Sequence, residues 1–342
     1  MAFGNYSSPH FPASESVGVM MRHVLLALLP GAACMTWYFG PGVISNLVVA
    51  AVTAVCAEAM MLYLRGRPIR PVLADNSALV TGVLLALALP PLAPWWIPVI
   101  GTLFAIIVAK QLYGGLGFNP FNPAMVGYVV LLISFPRELT LWPAPHTGPG
   151  LVDTLNLVFL NTLPTGLELD ALTMATPMDS VKTGIGLEQT ISTMQAGGSF
   201  GLVGASGWEW VNLWFLAGGL WLLKIRVIQW QIPASMLMAL AGMALAFFLL
   251  DPETYTSPLF QLFSGAAMLG AFFIATDPVS ASTTPTGRLV YGAGIGILVY
   301  IIRHWGGYPE GIAFAVLLMN MAAPTIDYYT QPRVFGKSGD GN

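Results

Sequence analysis

Long apolar runs alternate with short polar connections along this chain, at about 23–39, 43–64, 77–93, 95–113, 124–136, 210–227, 232–251, 259–276, 289–302 and 310–323. A straight helix crossing the hydrocarbon core needs about 20 residues, and several of these runs fall short of that. The short ones carry Pro or Gly at their ends, which is tolerated where a helix packs on other protein or lines a cavity instead of facing lipid. The pattern predicts an all-α polytopic membrane protein with about ten transmembrane helices. One polar interruption, residues 137–209, divides the runs five and five. The predicted organisation is an N-terminal segment (1–22) lying flat on the membrane, a first five-helix repeat (23–136), one long loop (137–209), a second five-helix repeat (210–323) and a tail (324–342).

An odd number of spans in each half inverts the second half relative to the first. Paired features support such an inverted repeat. Val80-Thr81-Gly82-Val83-Leu84-Leu85-Ala86 resembles Phe263-Ser264-Gly265-Ala266-Ala267-Met268-Leu269, each a hydroxyl-Gly pair entering an apolar run. Gly114-Gly115-Leu116-Gly117 before the fifth run parallels Gly306-Gly307 before the tenth at a nearly equal separation. Inverted repeats of this kind carry ligand sites at their interface.

Composition adds sidedness. Of 342 residues 56% are hydrophobic and 8% charged, so most of the surface faces lipid and nucleic acid is not an expected partner. With the N-terminus inside, Arg22, Arg65, Arg67, Arg70, Lys110, Lys224, Arg226, Arg288, Arg333 and Lys337 fall on the cytoplasmic side, leaving Arg137, Lys182 and Arg303 outside. Ten against three is the bias expected of cytoplasmic loops. It places both termini in the cytoplasm and the acidic 137–209 segment on the exterior face, as in a bacterial inner-membrane protein. Cys34 and Cys56 lie in apolar runs and offer no metal-ligand spacing, so no metal is expected. The run ending at Cys34 reads as a retained helix and not a cleaved lipoprotein signal, because apolar residues continue past the cysteine.

Two stretches are too polar for plain connections: Gly114–Met125, with Asn119-Pro120 and Asn122-Pro123, and Thr276–Arg288, with Asp277-Pro278, Ser280 and further hydroxyl side chains before Gly287-Arg288. Asn122-Pro123 can open a helix with Pro at its first position, and the hydroxyls offer donors for a flavin ring, a ribityl chain or a phosphate. Capping and turn formation explain the same residues. Thr176 within Asp170–Ser180 likewise reads either as a turn or as part of a functional loop.

The matching residues run from end to end: Ser8-Pro9-His10; Leu79 to Ala86 with Leu89-Pro90-Pro91; Gly114 to Gly117 with Phe121-Asn122-Pro123-Ala124-Met125; Ala275-Thr276-Asp277-Pro278-Val279-Ser280-Ala281; Gly306-Gly307-Tyr308-Pro309-Glu310-Gly311; and Asn320 to Asp327. In these the chain resembles the family of membrane proteins that includes the RnfD component of the Rnf ion-translocating electron-transport complex and, more distantly, the NqrB component of the sodium-pumping quinone reductase. The resemblance implies FMN joined through its phosphate to a threonine in the pattern Asp-x-x-Ser/Thr-x-Ala-Thr, here Asp170-Ala171-Leu172-Thr173-Met174-Ala175-Thr176, with Met174 where a small residue is usual. It also implies a second, noncovalent flavin, riboflavin in the relatives, for which Asn119, Asn122, Asp277 and Ser280 are the candidates. The implied partners are the other flavoprotein, iron–sulfur and membrane subunits of a complex coupling ferredoxin and NAD to ion movement, a flavin transferase for maturation, and membrane lipid. No catalytic residue is implied in this chain alone. The alternative is a channel or secondary transporter with Glu58 on its pathway, which has no use for a flavin-attachment pattern.

Overall fold

The computed structural model describes residues 17–163, 172–195 and 200–331. Among them each of the ten apolar runs carries helix, and the only strand-like pairing is an isolated bridge between Phe200 and Ala205. The helices are α1 (Val17–Phe39), α2 (Gly42–Leu64), the short α3 (Ile69–Leu73), α4 (Ser77–Ala88), α5 (Trp96–Leu103, continued as π-helix over Phe104–Gln111) and α6 (Pro123–Ser134). The described residues of the 137–209 segment carry α7 (Leu151–Leu155, then π-helix Asn156–Leu160), α8 (Pro177–Gly186) and α9 (Ile191–Gln195) and so are more than a plain loop. The second half holds α10 (Trp208–Lys224), α11 (Gln231–Leu250), α12 (Pro258–Leu262), α13 (Ala267–Leu269, then π-helix Gly270–Ile274), α14 (Pro285–Trp305) and α15 (Ile312–Tyr329). Five of these, α1, α2, α11, α14 and α15, are long and apolar enough to cross a membrane alone. The protein is a polytopic all-α membrane protein.

Neighbours recur between the halves. α2 packs on α5 as α11 packs on α14, and α5 packs on α6 as α14 packs on α15. The halves meet where α1 lies against α10 and α6 against α15. The α11–α14 contact is close because Gly296 has no side chain: a Cβ there would run into the Met236 carbonyl.

Four boundaries differ from the expected ones, each for a local reason. α1 starts at Val17 because Val17, Met20 and Met21 extend its apolar periodicity, and Arg22 Nε donates back to the Gly18 carbonyl at 3.1 Å. Residues 17–22 are therefore helix and do not lie apart from the first run. α15 continues through Pro324 to Tyr329, beyond the expected end at 323, where Asp327 receives the backbone N–H and hydroxyl of Thr283. α14 begins early, at Pro285, with Thr284 accepting from the Gly287 N–H at 2.9 Å. The eighth run is broken. Gly265 adopts φ +60°, a conformation that suits glycine, and the chain restarts as α13 at Ala267.

That break is held from a distance. Arg303 of α14, its side chain fully buried, donates to the Gln261 carbonyl (2.8 Å) and the Ser264 carbonyl (3.3 Å) and grips Glu310 through Nε (3.1 Å) and Nη2 (2.9 Å). Glu310 in turn accepts from the Ala266 N–H at 3.0 Å. The carbonyls and N–H groups freed at the break thus find partners, as a membrane interior requires. Arg303 and Lys110, counted above as loop cations, are both buried helix residues. Each side loses one residue, and the charge bias keeps its direction.

Candidate functional site

Thr176 stands at the start of α8. Its backbone is extended (φ −61°, ψ 153°), Pro177 occupies the first helical position, and its Oγ1 accepts from the Asp179 N–H at 3.3 Å. Thr-Pro makes this start locally: the hydroxyl satisfies a free helix N–H and proline loses nothing by lacking one. The segment leading in is pinned by the Met174 N–H donating to the Trp142 carbonyl at 2.8 Å, which leaves the Met174 side chain exposed and out of the way. Asp170 and Ala171, which open the pattern, lie outside the described residues. α8 is anchored by Met178 and Val181 in an apolar cluster with Ile191 and Phe260. Lys182 adds a polar anchor, donating to the carbonyls of Ile302 (3.4 Å), Gly306 and Tyr308 (2.8 Å) at the end of α14. Burial pulls the Lys182 ammonium below the usual lysine range, opposed by Asp179 nearby.

Half-buried Thr176 lines a cavity of about 1360 Å³, counting the part open to solvent, whose walls include Trp142, Trp208, Tyr128, Tyr308 and Glu310. Trp142 and Trp208 lie with ring centroids 4.9 Å apart, and Phe39 packs against both. A hydroxyl at a helix N-terminus beside aromatic walls fits a phosphate ester carrying a planar ring: the N–H groups and the dipole favour the phosphate, and the aromatic faces favour the ring.

The second set of candidates also converges. Asn119, Asn122 and Asp277 line one cavity together with Lys110, Ser77 and Thr81 and apolar groups from α1, α4 and α13. Asn122 ties the halves together. Its side chain caps α6 by accepting from the Met125 N–H (3.2 Å) and donates to the Ile274 carbonyl (3.1 Å), while its own N–H donates to Asn320 Oδ1 (3.0 Å). Asn320 continues to the Ser280 carbonyl (3.1 Å) and the Tyr291 hydroxyl (2.7 Å). Ser280 does not line the cavity; its hydroxyl donates to Asp277 Oδ2 at 2.6 Å and orients that carboxylate. Asn119 donates to the Phe121 carbonyl (3.0 Å), and its Oδ1 is buried without a partner. Such an oxygen is costly unless a ligand meets it.

Glu58, the candidate of the transporter alternative, is buried in α2 and forms an ion pair with Lys110 at 2.6 Å; Gln111 Nε2 donates to the same oxygen at 2.8 Å.

The two cavities share a wall. Along α4 Leu84 lines the Asn119 cavity and Leu87 the Thr176 cavity; at the start of α6 the pair is Pro123 and Met125; in the π-helical part of α13 it is Phe273 and Ile274. The Asn122 to Ile274 hydrogen bond crosses this partition.

Sequence reasoning missed Lys110, Trp142, Trp208, Arg303 and Glu310 as site residues. A usable signal existed for Lys110, since a Lys-Gln pair inside an apolar run is expensive unless it has partners. The tryptophans carried none, because nothing local says which side of a loop they cover.

Known proteins match nearly the whole length of the chain. An ion-translocating oxidoreductase complex protein from Escherichia fergusonii, named as the D component of that complex, is 51% identical, over 98% of this chain and 99% of its own. Proteins of the same name from Aliivibrio salmonicida and Escherichia coli are 52% and 50% identical over the same shares. The model of the NQR2, RnfD, RnfE family matches residues 5–336, and the chain belongs to that family.

Proposed function

We propose that this chain is the flavin-carrying membrane component of an ion-translocating oxidoreductase complex, passing electrons between ferredoxin- and NAD-linked subunits as ions move. The observation that carries the reading is the pair of cavities lined by neighbouring residues of the same segments, one with Thr176 at its edge and one lined by Asn119, Asn122 and Asp277. Thr176 would hold FMN through a phosphoester to Oγ1, the helix N-terminus easing the phosphate's charge. Asn119, Asn122 and Asp277 would hold a noncovalent flavin, riboflavin in kind, with Ser280 positioning Asp277. Bound flavins supply the redox chemistry; the chain supplies position, dry surroundings and charge.

The cation bias supports an inner-membrane orientation with both termini and the Asn119 cavity toward the cytoplasm and Thr176 outside. Electrons entering at one face would then reach the other without leaving this chain. The five-plus-five organisation, with repeats at 23–136 and 210–323, fits the recurring helix neighbours. Attachment of FMN requires a flavin transferase, and the remaining subunits bring the iron–sulfur and nucleotide-linked chemistry.

The test is flavin analysis of the purified complex. The denatured chain is expected to retain a fluorescent flavin on the peptide containing Thr176, and to release a second flavin on denaturation. A folded chain yielding neither would overturn the reading.

A further inference from the structure

We infer that Lys110 is the cation that meets the ligand of the Asn119 cavity and balances the negative charge that reduction leaves on a flavin bound there, with Glu58 as its partner in the oxidised state. This rests on the reading that the Asn119 cavity holds the noncovalent flavin.

Lys110 is 2% exposed and sits in the π-helical end of α5, a distortion frequent at functional positions. Lys110 lines the cavity. Two of its three N–H groups are accounted for: one meets Glu58 Oε1 at 2.6 Å and one donates to Ser77 Oγ at 2.7 Å. The Ser77 hydroxyl donates to Asp75 Oδ1 at 2.5 Å, which fixes it as an acceptor for Lys110. A third N–H remains for the cavity. Asp277, on another wall of the same cavity, is close enough to feel the Lys110 charge. The acidic groups around the ammonium are thus Glu58, Asp277 and, through Ser77, Asp75.

A ligand is called for by the oxygen that no protein group meets. Asn119 Oδ1 is buried and unpartnered in the same cavity, so the site presents one acceptor and one cationic donor. That pairing complements the pyrimidine edge of an isoalloxazine, whose N3–H donates and whose C2 carbonyl and N1 accept. Two electrons from the oxidoreductase chain and one proton reduce the ring, the proton going to N5 and the remaining negative charge to the N1–C2 carbonyl edge. A neutral ring leaves Lys110 with Glu58. A reduced ring offers a second anion, and the ammonium is shared between the two. Glu58 Oε2, buried without a partner, shows that this carboxylate is not fully matched by the protein.

The prediction is that removing the Lys110 charge weakens binding of reduced flavin more than of oxidised flavin. Lys110→Met alone would strand Glu58, so the comparison is between Glu58→Gln and the Glu58→Gln/Lys110→Met double variant in the intact complex, with Lys110→Arg as the charge-keeping control. Redox titration of the noncovalent flavin, followed by its visible spectrum, is expected to show the ratio of reduced to oxidised affinity falling at least tenfold in the double variant, about 30 mV for a two-electron couple. Lys110→Arg is expected to stay near the wild-type potential. Equal potentials in the single and double variants would overturn the role of Lys110 while leaving the flavin reading intact. Absence of any extractable noncovalent flavin from the wild-type complex would instead remove the reading on which it rests.

Discussion

Replacing Thr176 separates the helix capping its hydroxyl performs from the cofactor attachment proposed for it. Thr176→Ala removes the Oγ1 that accepts from the Asp179 N–H. Loss of such a cap costs about 0.5–2 kcal/mol, and the 3.3 Å contact is a long one, so the low end, about 0.5–1 kcal/mol, applies. α8 keeps its other anchors, Met178 and Val181 in their apolar cluster and Lys182 on three carbonyls. The variant is therefore expected to insert, assemble and melt within a few degrees of wild type. Thr176→Asn restores a capping side chain without a hydroxyl, and Thr176→Ser restores both. Covalent flavin, read as in-gel fluorescence of the denatured chain and as an FMN mass increment on the peptide, is expected in wild type and to a reduced degree in Ser, and to be absent from Ala and Asn alike. Thermal stability is expected to order the other way, with Asn at or above Ala. A flavinylated peptide from the Asn variant refutes attachment through Thr176. Parallel loss of flavin and of folded protein in Ala, both rescued by Asn, shows that the residue serves only as a cap.

Other outcomes follow from the same geometry. In a variant lacking Cys34 and Cys56, a cysteine at exposed Leu187 is expected to label from outside intact cells and one at Arg67 is not; the reverse pattern inverts the topology. Asn122→Ala cuts contacts to Met125, Ile274 and, through the local backbone, Asn320, so it is expected to lower both the amount of folded protein and the noncovalent flavin per folded chain. Flavin per chain unchanged at low yield would leave Asn122 a purely structural tie. Asp277→Asn keeps a polar group where Ser280 donates and is expected to change flavin content with little loss of yield. Arg303→Met leaves Glu310 without its cationic partner and frees the Gln261 and Ser264 carbonyls; Glu310 is 23% exposed, so the cost falls below the about 3–5 kcal/mol of a fully buried pair, and the variant is expected to lower the yield of folded protein. Adding Glu310→Gln should recover part of it, and a complete absence of rescue would mean that the contacts to Gln261 and Ser264 dominate.

What could be read from the chain before folding was what depends on near neighbours. Asn122-Pro123 announces a helix start and is a capped start in the structure; Thr176-Pro177 and Thr284-Pro285, read from sequence only as turn or capping residues, prove to be capped starts as well. The apolar runs locate ten helical segments because burial in lipid is written directly in composition. The break between α12 and α13 was hidden because the groups that stabilise it, Arg303 and Glu310, come from some 40 residues away. The meeting of Asn122 with Asn320 was equally hidden, since it is made by packing α6 on α15. Lys110 was misassigned to a loop because the count of cations takes no account of depth, and only the partners Glu58 and Ser77 show how its charge is satisfied inside.

The partition between the cavities has a consequence for anyone who would tune this protein. Its two faces are built from neighbouring residues of the same short segments, Leu84 and Leu87, Pro123 and Met125, Phe273 and Ile274. A change that moves the backbone of one face also reshapes the other, and Asn122 transmits such a shift through its bond to Ile274. The shapes of the two cavities are therefore tied to one another. A substitution in this partition is expected to register in both cavities, so its effect has to be read at both.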